Sequence, residues 1–166
     1  MQFTKIEDFL SYYAKVKKRT TRLFAYIPPD KIEWTFAEGK FTIGDLIRHI
    51  ACIERYMYGE NVQMKPSSYH GCSTDLAEGY EATIAFYNKL HEESLAIFSQ
   101  LTPEDLQSKC LTPGEAKITM WKWLRLMAEH EIHHRGQLYT YLGMLGVKTP
   151  PIYGLTSEEV AERSTS

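Results

Sequence analysis

Residues 120–145 have the sequence MWKWLRLMAEHEIHHRGQLYTYLGML, the clearest structural signal in the chain. Its apolar side chains and two of its histidines recur at steps of three and four residues, the spacing of one face of an α-helix. The inward face comprises Trp123, Leu124, Met127, His130, His134, Leu138, Tyr141 and Leu145. Gly146 follows as a natural C-cap. The segment therefore predicts one long helix that turns two imidazoles toward a protein interior.

Three other segments show the same periodicity. We expect helices from about Lys5 to Ile27, from Thr42 to Gly59 and from Thr74 to Leu101. Gly79 is expected to weaken the interior of the third helix. Residues 102–105 begin a short extra helical turn with proline at its first position.

Smaller signals lie at the helix ends and between the helices. Thr4 with Glu7, and Thr42 with Asp45, have the spacing of capping boxes at the first two helix starts. Residues 109–118 are expected to form either a short β-hairpin before the last long helix or a loop.

Four long helices in 166 residues predict an all-α four-helix bundle that forms a single domain, residues 1–166. Its core is expected over about residues 5–146, followed by a polar C-terminal tail over 147–166. Each connection between long helices exceeds ten residues. The pattern alone therefore leaves open the order in which the helices run up and down.

The composition limits the classes of function. Hydrophobic residues make up 43% and charged residues 24% of the chain, values typical of folded proteins. The mean hydropathy is −0.36, and no run of about 18 apolar residues occurs, so a membrane-spanning helix is not expected. Nineteen basic and twenty-one acidic side chains give a formal charge of −2, which argues against nucleic acid as a partner.

The N-terminal residues and the cysteines both favour a reducing compartment. Residues 1–5 lead directly into an amphipathic pattern and lack the apolar segment of a signal peptide. Cys52, Cys72 and Cys110 are odd in number and show no CxxC spacing, so a disulfide framework is not expected. We therefore expect a cytoplasmic location.

The segment 129–137 carries the candidate chemistry. Residues four apart on a helix lie on one face, about 6 Å apart along its axis, so His130 and His134 can direct two imidazoles at one point. A helix supplies two ligands to a divalent metal with this spacing. Buried imidazoles need polar partners, which one metal ion or hydrogen bonds from other helices would provide. His133 lies about 100° round the helix and points elsewhere.

A third ligand is expected from another helix, and His49 is the candidate because it lies on an apolar face. His70 and His91 are expected at the surface. Three neutral imidazoles leave coordination positions open, which is the catalytic rather than the structural pattern, and zinc or nickel suits them. Cys52, one turn after His49, is a candidate fourth ligand, although buried cysteines usually behave as apolar residues.

Residues 130–134 also match HExxH, in which Glu131 would be the general base of a zinc protease. The residues after Gly136 do not continue the longer HExxHxxGxxH motif. Little strand sequence is present to align a peptide substrate. The protease is therefore kept as a minor alternative.

The second half of the first helix is rich in positive charge, with Lys15, Lys17, Lys18, Arg19 and Arg22. An acidic partner or nucleic acid would be attracted to such a segment. We favour a solvated face whose charge complements the helix C-terminus.

These motifs resemble those of the DinB family of damage-inducible-type four-helix-bundle proteins. The resemblance rests on Ile43-Gly44-Asp45-Leu46-x-x-His49, with Glu54 five residues later, and on His130-x-x-x-His134-Arg135-Gly136-Gln137. It extends over nearly the whole chain, from about Ile6 to Gly146.

The resemblance implies properties that the pattern alone does not give. The bundle would run up-down-down-up, and the family's three metal-binding histidines would correspond to His49, His130 and His134. Nickel or zinc is the usual metal, and homodimers are common. Some relatives use a low-molecular-weight thiol to conjugate or isomerise electrophiles. Glu131 is not part of the shared signature.

Two functional hypotheses result. The first is a metal-dependent transferase that uses a thiol, or a hydrolase, with an open three-histidine site and a small electrophilic substrate. Arg135 and Gln137 would then brace neighbouring residues rather than take part in the chemistry. The second is a non-enzymatic dimeric stress or binding protein in which the metal only ties three helices together.

Overall fold

The computed structural model describes residues 2–164 as four long helical segments with short elements between them. The helices are α1 Ile6–Phe24, α2 Ile43–Ile53, α3 Gly59–Asn61, α4 Tyr80–Phe98, α5 Pro103–Gln107, α6 Met120–Met144 and α7 Ser157–Ser164. A π-helix, Glu54–Tyr58, joins α2 to α3, and 3₁₀ turns lie at Pro29–Lys31 and Thr74–Leu76. Strands β1 Lys109–Leu111 and β2 Lys117–Thr119 pair antiparallel and confirm the hairpin.

Contacts between the long helices give their relative directions. Between α1 and α6, Tyr13 contacts Glu131 and Val16 contacts Arg135. Between α1 and α4, Phe9 contacts Phe98 and Phe24 contacts Tyr87. Between the α2 segment and α4, Arg48 contacts Thr83 and Glu54 contacts His91. Thus α1 and α6 run parallel, α2 and α4 run parallel, and the two pairs oppose each other. The up-down-down-up order implied by the family resemblance is confirmed.

The N-termini of α1 and α2 are capped differently. At α2, the Thr42 hydroxyl accepts a hydrogen bond from the Asp45 N–H at 2.9 Å, and the Asp45 carboxylate accepts one from the Thr42 N–H at 3.0 Å. This is the predicted capping box. At α1 the N-cap is Lys5, whose side chain makes no capping bond. The capping box predicted at Thr4 and Glu7 is therefore wrong.

Two predicted helix boundaries are also wrong. Gly59 does not end the second helical segment, because its backbone is helical and its N–H donates to the Glu54 carbonyl within the π-helix. Gly79 does not lie inside the third helix. Its φ of +82° suits glycine and makes it the N-cap of α4, so the helix begins at Tyr80 rather than Thr74.

The C-terminus of α6 closes as the sequence predicts. Gly146 has a φ of +74°, and its N–H donates to the Gly143 carbonyl at 3.0 Å. The Val147 N–H donates to the Leu142 carbonyl at 2.9 Å. These two bonds form a Schellman motif, which satisfies carbonyls that the last helical turn leaves free.

The core consists of two apolar clusters with buried polar side chains between them. Phe9 and Leu124 belong to the first cluster, and Leu23 and Leu138 to the second. Along α6, Glu131 lies between these two clusters and is almost fully buried. Among residues 2–164, no helix combines the length and apolar composition needed to cross a bilayer.

Candidate metal centre

Two histidines of α6 and one of α2 meet at one place. His130 and His134 project from consecutive turns of α6 toward His49 on the antiparallel α2. His130 Nε2 lies 3.1 Å from His49 Nε2 and 3.0 Å from His134 Nε2. One ring nitrogen from each residue lies within 4.8 Å of the others. The structure brings together the three residues selected from the sequence, and metal binding by them stays a prediction.

The spacing of these nitrogens fits coordination of a single ion. Imidazole nitrogens about 2.1 Å from zinc or nickel lie about 3.0–3.4 Å from one another in octahedral or tetrahedral geometry. The Nε2 separations of 3.0 and 3.1 Å fall within that range. Three lone pairs directed at one point repel each other unless a cation or a proton lies between them. The donor set therefore suits a divalent transition metal.

The outer nitrogens of two of these rings have hydrogen-bond partners. His134 Nδ1 donates to Gln137 Oε1 at 2.6 Å, and the Tyr69 hydroxyl lies 3.0 Å from His49 Nδ1. A ring whose Nδ1 carries the proton presents the lone pair of Nε2 to a metal. Such partners fix the tautomer and orientation of metal ligands. Gln137 thus braces a neighbouring residue as predicted.

The environment of the site keeps its histidines neutral at physiological pH. Burial, together with the neighbouring charge of His134, lowers the pKa of His49 to about 4. Burial and the three nearby histidines lower the pKa of His130 to about 3. The pKa of His134 is also lowered, mainly by burial. Neutral imidazole is the form that binds a metal, so protonation does not compete near pH 7.

The cluster is open toward solvent. His49 and His130 are partly exposed, whereas His134 is buried. Within residues 2–164, no cysteine or carboxylate joins the three histidines. Cys52 is therefore not placed as a ligand. It is buried, and burial raises the pKa of its thiol to about 12.

Comparison of the chain with known proteins identifies its family. A sequence model of the DinB superfamily matches residues 12–138, which includes all three histidines. The chain belongs to the DinB superfamily. It is 26% identical over 148 residues to the protein YjoA of Bacillus subtilis strain 168, covering 88% of this chain and 94% of YjoA.

Solved structures share the fold of this DinB protein. A DinB-like protein from Bacillus cereus ATCC 10987 superposes with a TM-score of 0.74 at 20% identity, covering 92% of this chain and all of that one. A mycothiol-dependent maleylpyruvate isomerase superposes with a TM-score of 0.58 at 17% identity, covering 83% of this chain and 63% of the isomerase. At these identities the likeness establishes the four-helix fold.

Glu131, the general base of the protease alternative, does not reach the three imidazoles. Its carboxylate accepts hydrogen bonds from the hydroxyls of Tyr13 at 2.8 Å and Tyr87 at 3.3 Å. The Lys17 ammonium lies 3.3 Å away. Glu131 follows His130 directly, so its side chain points about 100° round the helix, into the bundle core. The protease hypothesis thereby loses its catalytic base.

Two residues expected at the surface lie in the same buried group. Lys17 is 4% exposed and donates to Glu54 Oε2 at 2.8 Å. His91 is partly buried, and its Nδ1 donates to Glu54 Oε1 at 2.7 Å. The solvated-face prediction is therefore wrong for Lys17, and the surface prediction is wrong for His91. We call Tyr13, Lys17, Glu54, Tyr87, His91 and Glu131 the inner polar cluster.

The remaining histidines lie as the sequence predicts. His133, on α6, and His70, in the crossover between α3 and α4, are exposed. Tyr69 is the site residue that sequence reasoning missed. It lies in irregular chain, where no periodicity indicates the direction of a side chain.

Proposed function

We propose that this DinB protein binds a divalent transition metal, zinc or nickel, through His49, His130 and His134 and is a metal-dependent, thiol-using transferase. The observation that carries the proposal is the convergence of three Nε2 atoms, at separations of 3.0 and 3.1 Å, without a fourth protein ligand among residues 2–164. Three-ligand sites with open positions are typical of catalytic metals, whereas structural sites are closed.

The residues around the site support binding at an accessible, oriented centre. When bound, the ion would act as a Lewis acid and stabilise a thiolate or a hydroxide at neutral pH. Gln137 and Tyr69 hold two of the rings with Nε2 directed inward. The partial exposure of His49 and His130 leaves a side from which a small substrate can approach.

The composition of the site favours a thiol over water as the nucleophile. A metal-bound hydroxide forms near about pH 7 without a base, but a neighbouring acid or base usually assists proton transfer during hydrolysis. No carboxylate belongs to the histidine group within residues 2–164. A thiol has an ordinary pKa of about 8.5 and ionises on a metal without such a base. The mycothiol-dependent isomerase, which has the same fold, also uses a low-molecular-weight thiol. A small electrophile would be the second substrate, and a hydrolase is the runner-up.

The experiment uses protein purified without an affinity tag, so that nickel from a column does not enter the site. Metal content is measured by mass spectrometry, and thiol conjugation to a reactive electrophile is measured before and after chelation. We expect about one metal ion per chain, loss of conjugation on chelation and recovery with nickel or zinc. Conjugation that is indifferent to chelation would contradict the enzymatic part of the proposal.

The chain offers a matched pair of variants for this assay. His130→Ala removes a proposed ligand, whereas His133→Ala removes an exposed histidine of the same helix. We expect the first variant to lose both metal and turnover and the second to keep both. If His130→Ala loses metal while no condition yields turnover, the non-enzymatic stress or binding protein becomes the better hypothesis.

The proposal also includes assembly as a homodimer, as the family resemblance implies. Light scattering coupled to size-exclusion chromatography tests this directly. A dimer has twice the chain mass of 19.2 kDa. A single species at the mass of one chain, with and without metal, would reject the dimer without affecting the metal site.

A further inference from the structure

A basic cleft lies between α1 and the C-terminal segment, apart from the three histidines. Lys15, Lys18, Arg19 and Arg22 line it from α1, and residues 152–154 line it from the other side. The cavity between them is about 330 Å³, within the size range of small-molecule sites. The spacing of the four basic residues places them on one face of the helix.

The far wall of the cleft is fixed in place by contacts with α1 and α6. The Arg22 guanidinium donates to the Pro151 carbonyl, and its second contact is the Ile152 carbonyl at 3.4 Å. The Arg19 guanidinium lies over the Tyr153 ring, 5.3 Å from its centroid. The Tyr139 hydroxyl donates to the Pro150 carbonyl at 2.9 Å. The cleft is thus a formed cavity and not only a charged helix face.

The four cations of the cleft have no anionic partners in the described chain. Within residues 2–164, no carboxylate forms an ion pair with any of them. The fifth cation of this segment, Lys17, turns into the core and pairs with Glu54. The basic segment is therefore divided between one buried ion pair and four cations around a cavity that pair with no carboxylate within residues 2–164.

Neither the net charge of the protein nor the helix dipole explains this cluster of positive charge. The whole chain has a formal charge of −2, so the cleft is a local excess and not part of a basic protein. The favourable interaction of cations with a helix C-terminus extends over about one turn. Lys15 and Lys18 lie before the last turn of α1, whose basic residue is Arg22. Like charges at these spacings repel one another, and a bound anion would relieve the repulsion.

We propose that this cleft binds a small phosphorylated molecule that carries at least two negative charges. Lysine ammonium and arginine guanidinium groups are the usual partners of phosphate oxygens. The Tyr153 ring, 80% exposed, provides a flat apolar surface beside them. The size of the cavity suits a pyrophosphate unit with one attached group.

Pyrophosphate is the probe for the test, and amide chemical shifts report where it binds. The titration uses the His130→Ala variant of the full chain, so that binding to a metal at the histidine site does not interfere. We expect saturable shifts confined to residues 15–22 and 150–155, and weaker binding as salt rises. Absence of saturable shifts, or shifts centred elsewhere, would overturn the proposal.

Two charge-matched double variants sharpen this test. Lys15→Gln with Lys18→Gln removes two cleft cations that do not hold the wall, and Lys40→Gln with Lys89→Gln removes two exposed lysines elsewhere. We expect the first pair to weaken pyrophosphate binding about tenfold and the second to leave it unchanged. Equal weakening by both pairs would mean that net charge, and not the cleft, binds the anion. Tight binding of single-stranded RNA without binding of pyrophosphate would reject a small-molecule site in favour of nucleic acid.

Discussion

At the level of single residues, Gln137 and Tyr69 orient the rings of two of the three histidines. His134 Nδ1 donates to Gln137 Oε1 at 2.6 Å, so that His134 Nε2 is left with its lone pair. We predict that Gln137→Leu weakens metal binding about 10- to 100-fold, because the ring loses its orientation. Competition with a chromophoric chelator measures the affinity. The exposed Gln100→Leu serves as the control, and equal affinity in both variants would contradict this role.

Lys17 supplies a positive charge that balances the buried carboxylates of the inner polar cluster. Its ammonium contacts the carboxylates of Glu54 and Glu131, both about 1% exposed. We predict that Lys17→Met lowers the free energy of unfolding by about 3–5 kcal/mol, because buried carboxylates lose their counter-charge. Lys18→Met, at an exposed neighbour, should change it by no more than about 0.5 kcal/mol. Urea denaturation compares them, and similar stabilities would disprove the assignment.

Glu54 gives the inner polar cluster a defined response to pH. Burial alone would raise the pKa of Glu54, but the charge of Lys17 and the hydrogen bond from His91 outweigh it and hold this pKa below the ordinary value of 4.5. Glu54 therefore stabilises the fold above about pH 4.5, and the stabilisation is lost as the pH falls through its lowered pKa.

The corresponding prediction compares Glu54→Gln with the unaltered protein. The variant should be less stable near pH 7, and the difference in unfolding free energy should shrink below pH 4.5. Urea denaturation across this range, on metal-free samples of both proteins, provides the measurement. A difference that stays constant down to pH 3 would contradict the charge-based explanation.

The sequence predicts the positions of some of these residues but not of others. His130 and His134 could be predicted because they share a helical face with apolar neighbours. Lys17 lies one turn after Tyr13 and shares its buried face, but its charge favoured the prediction that its side chain is exposed to solvent. A buried charge is stable only beside partners from other helices, and one segment does not reveal those.

At the level of helices, α2 is fixed to its surroundings by a fully buried arginine. The Arg48 guanidinium donates to both oxygens of Glu33 and to the carboxylate of Asp45. It also donates to the carbonyls of Cys72 and Ala77 in the crossover. One side chain thus joins α2, the helix that carries His49, to the segment around Glu33 and to the crossover.

Gly44 and Gly136 provide a paired test of this packing. A Cβ at Gly44 would lie 2.8 Å from Glu33 Oε1 and 2.9 Å from Arg48 Nη1, whereas a Cβ at Gly136 would meet nothing within 4 Å. We predict that Gly44→Ala destabilises the protein by about 1–3 kcal/mol because the ion pair must move. Gly136→Ala should stabilise it by up to about 1 kcal/mol through helix propensity. Thermal unfolding compares the two variants, and effects of the same sign would contradict the packing argument.

Helix existence could be predicted from the sequence, but some helix ends could not. Gly59 and Gly79 look alike in sequence, yet one continues a helix through a π-helical turn and the other precedes a helix with positive φ. The difference depends on packing of the whole segment, because glycine permits both conformations. The capping box predicted at Thr42 forms with both reciprocal hydrogen bonds, whereas the one predicted at Thr4 does not form.

At the level of the whole molecule, the order of the helices creates the histidine site. Because α2 and α6 are antiparallel neighbours, His49 faces the two histidines of α6, and Phe41 at one end meets Tyr141. Amphipathic pattern could not predict that order, since connections of more than ten residues allow several. The family resemblance supplied it, and the contacts between helices confirm it.

Anomalous X-ray diffraction from crystals of tag-free, metal-loaded protein would locate a metal ion bound by the three histidines and identify its element. We expect a single strong peak at the zinc or nickel absorption edge, about 2.0–2.2 Å from the Nε2 atoms of His49, His130 and His134. The claim is contradicted if loaded crystals show no peak among the three imidazoles, or if the only peaks lie at other residues.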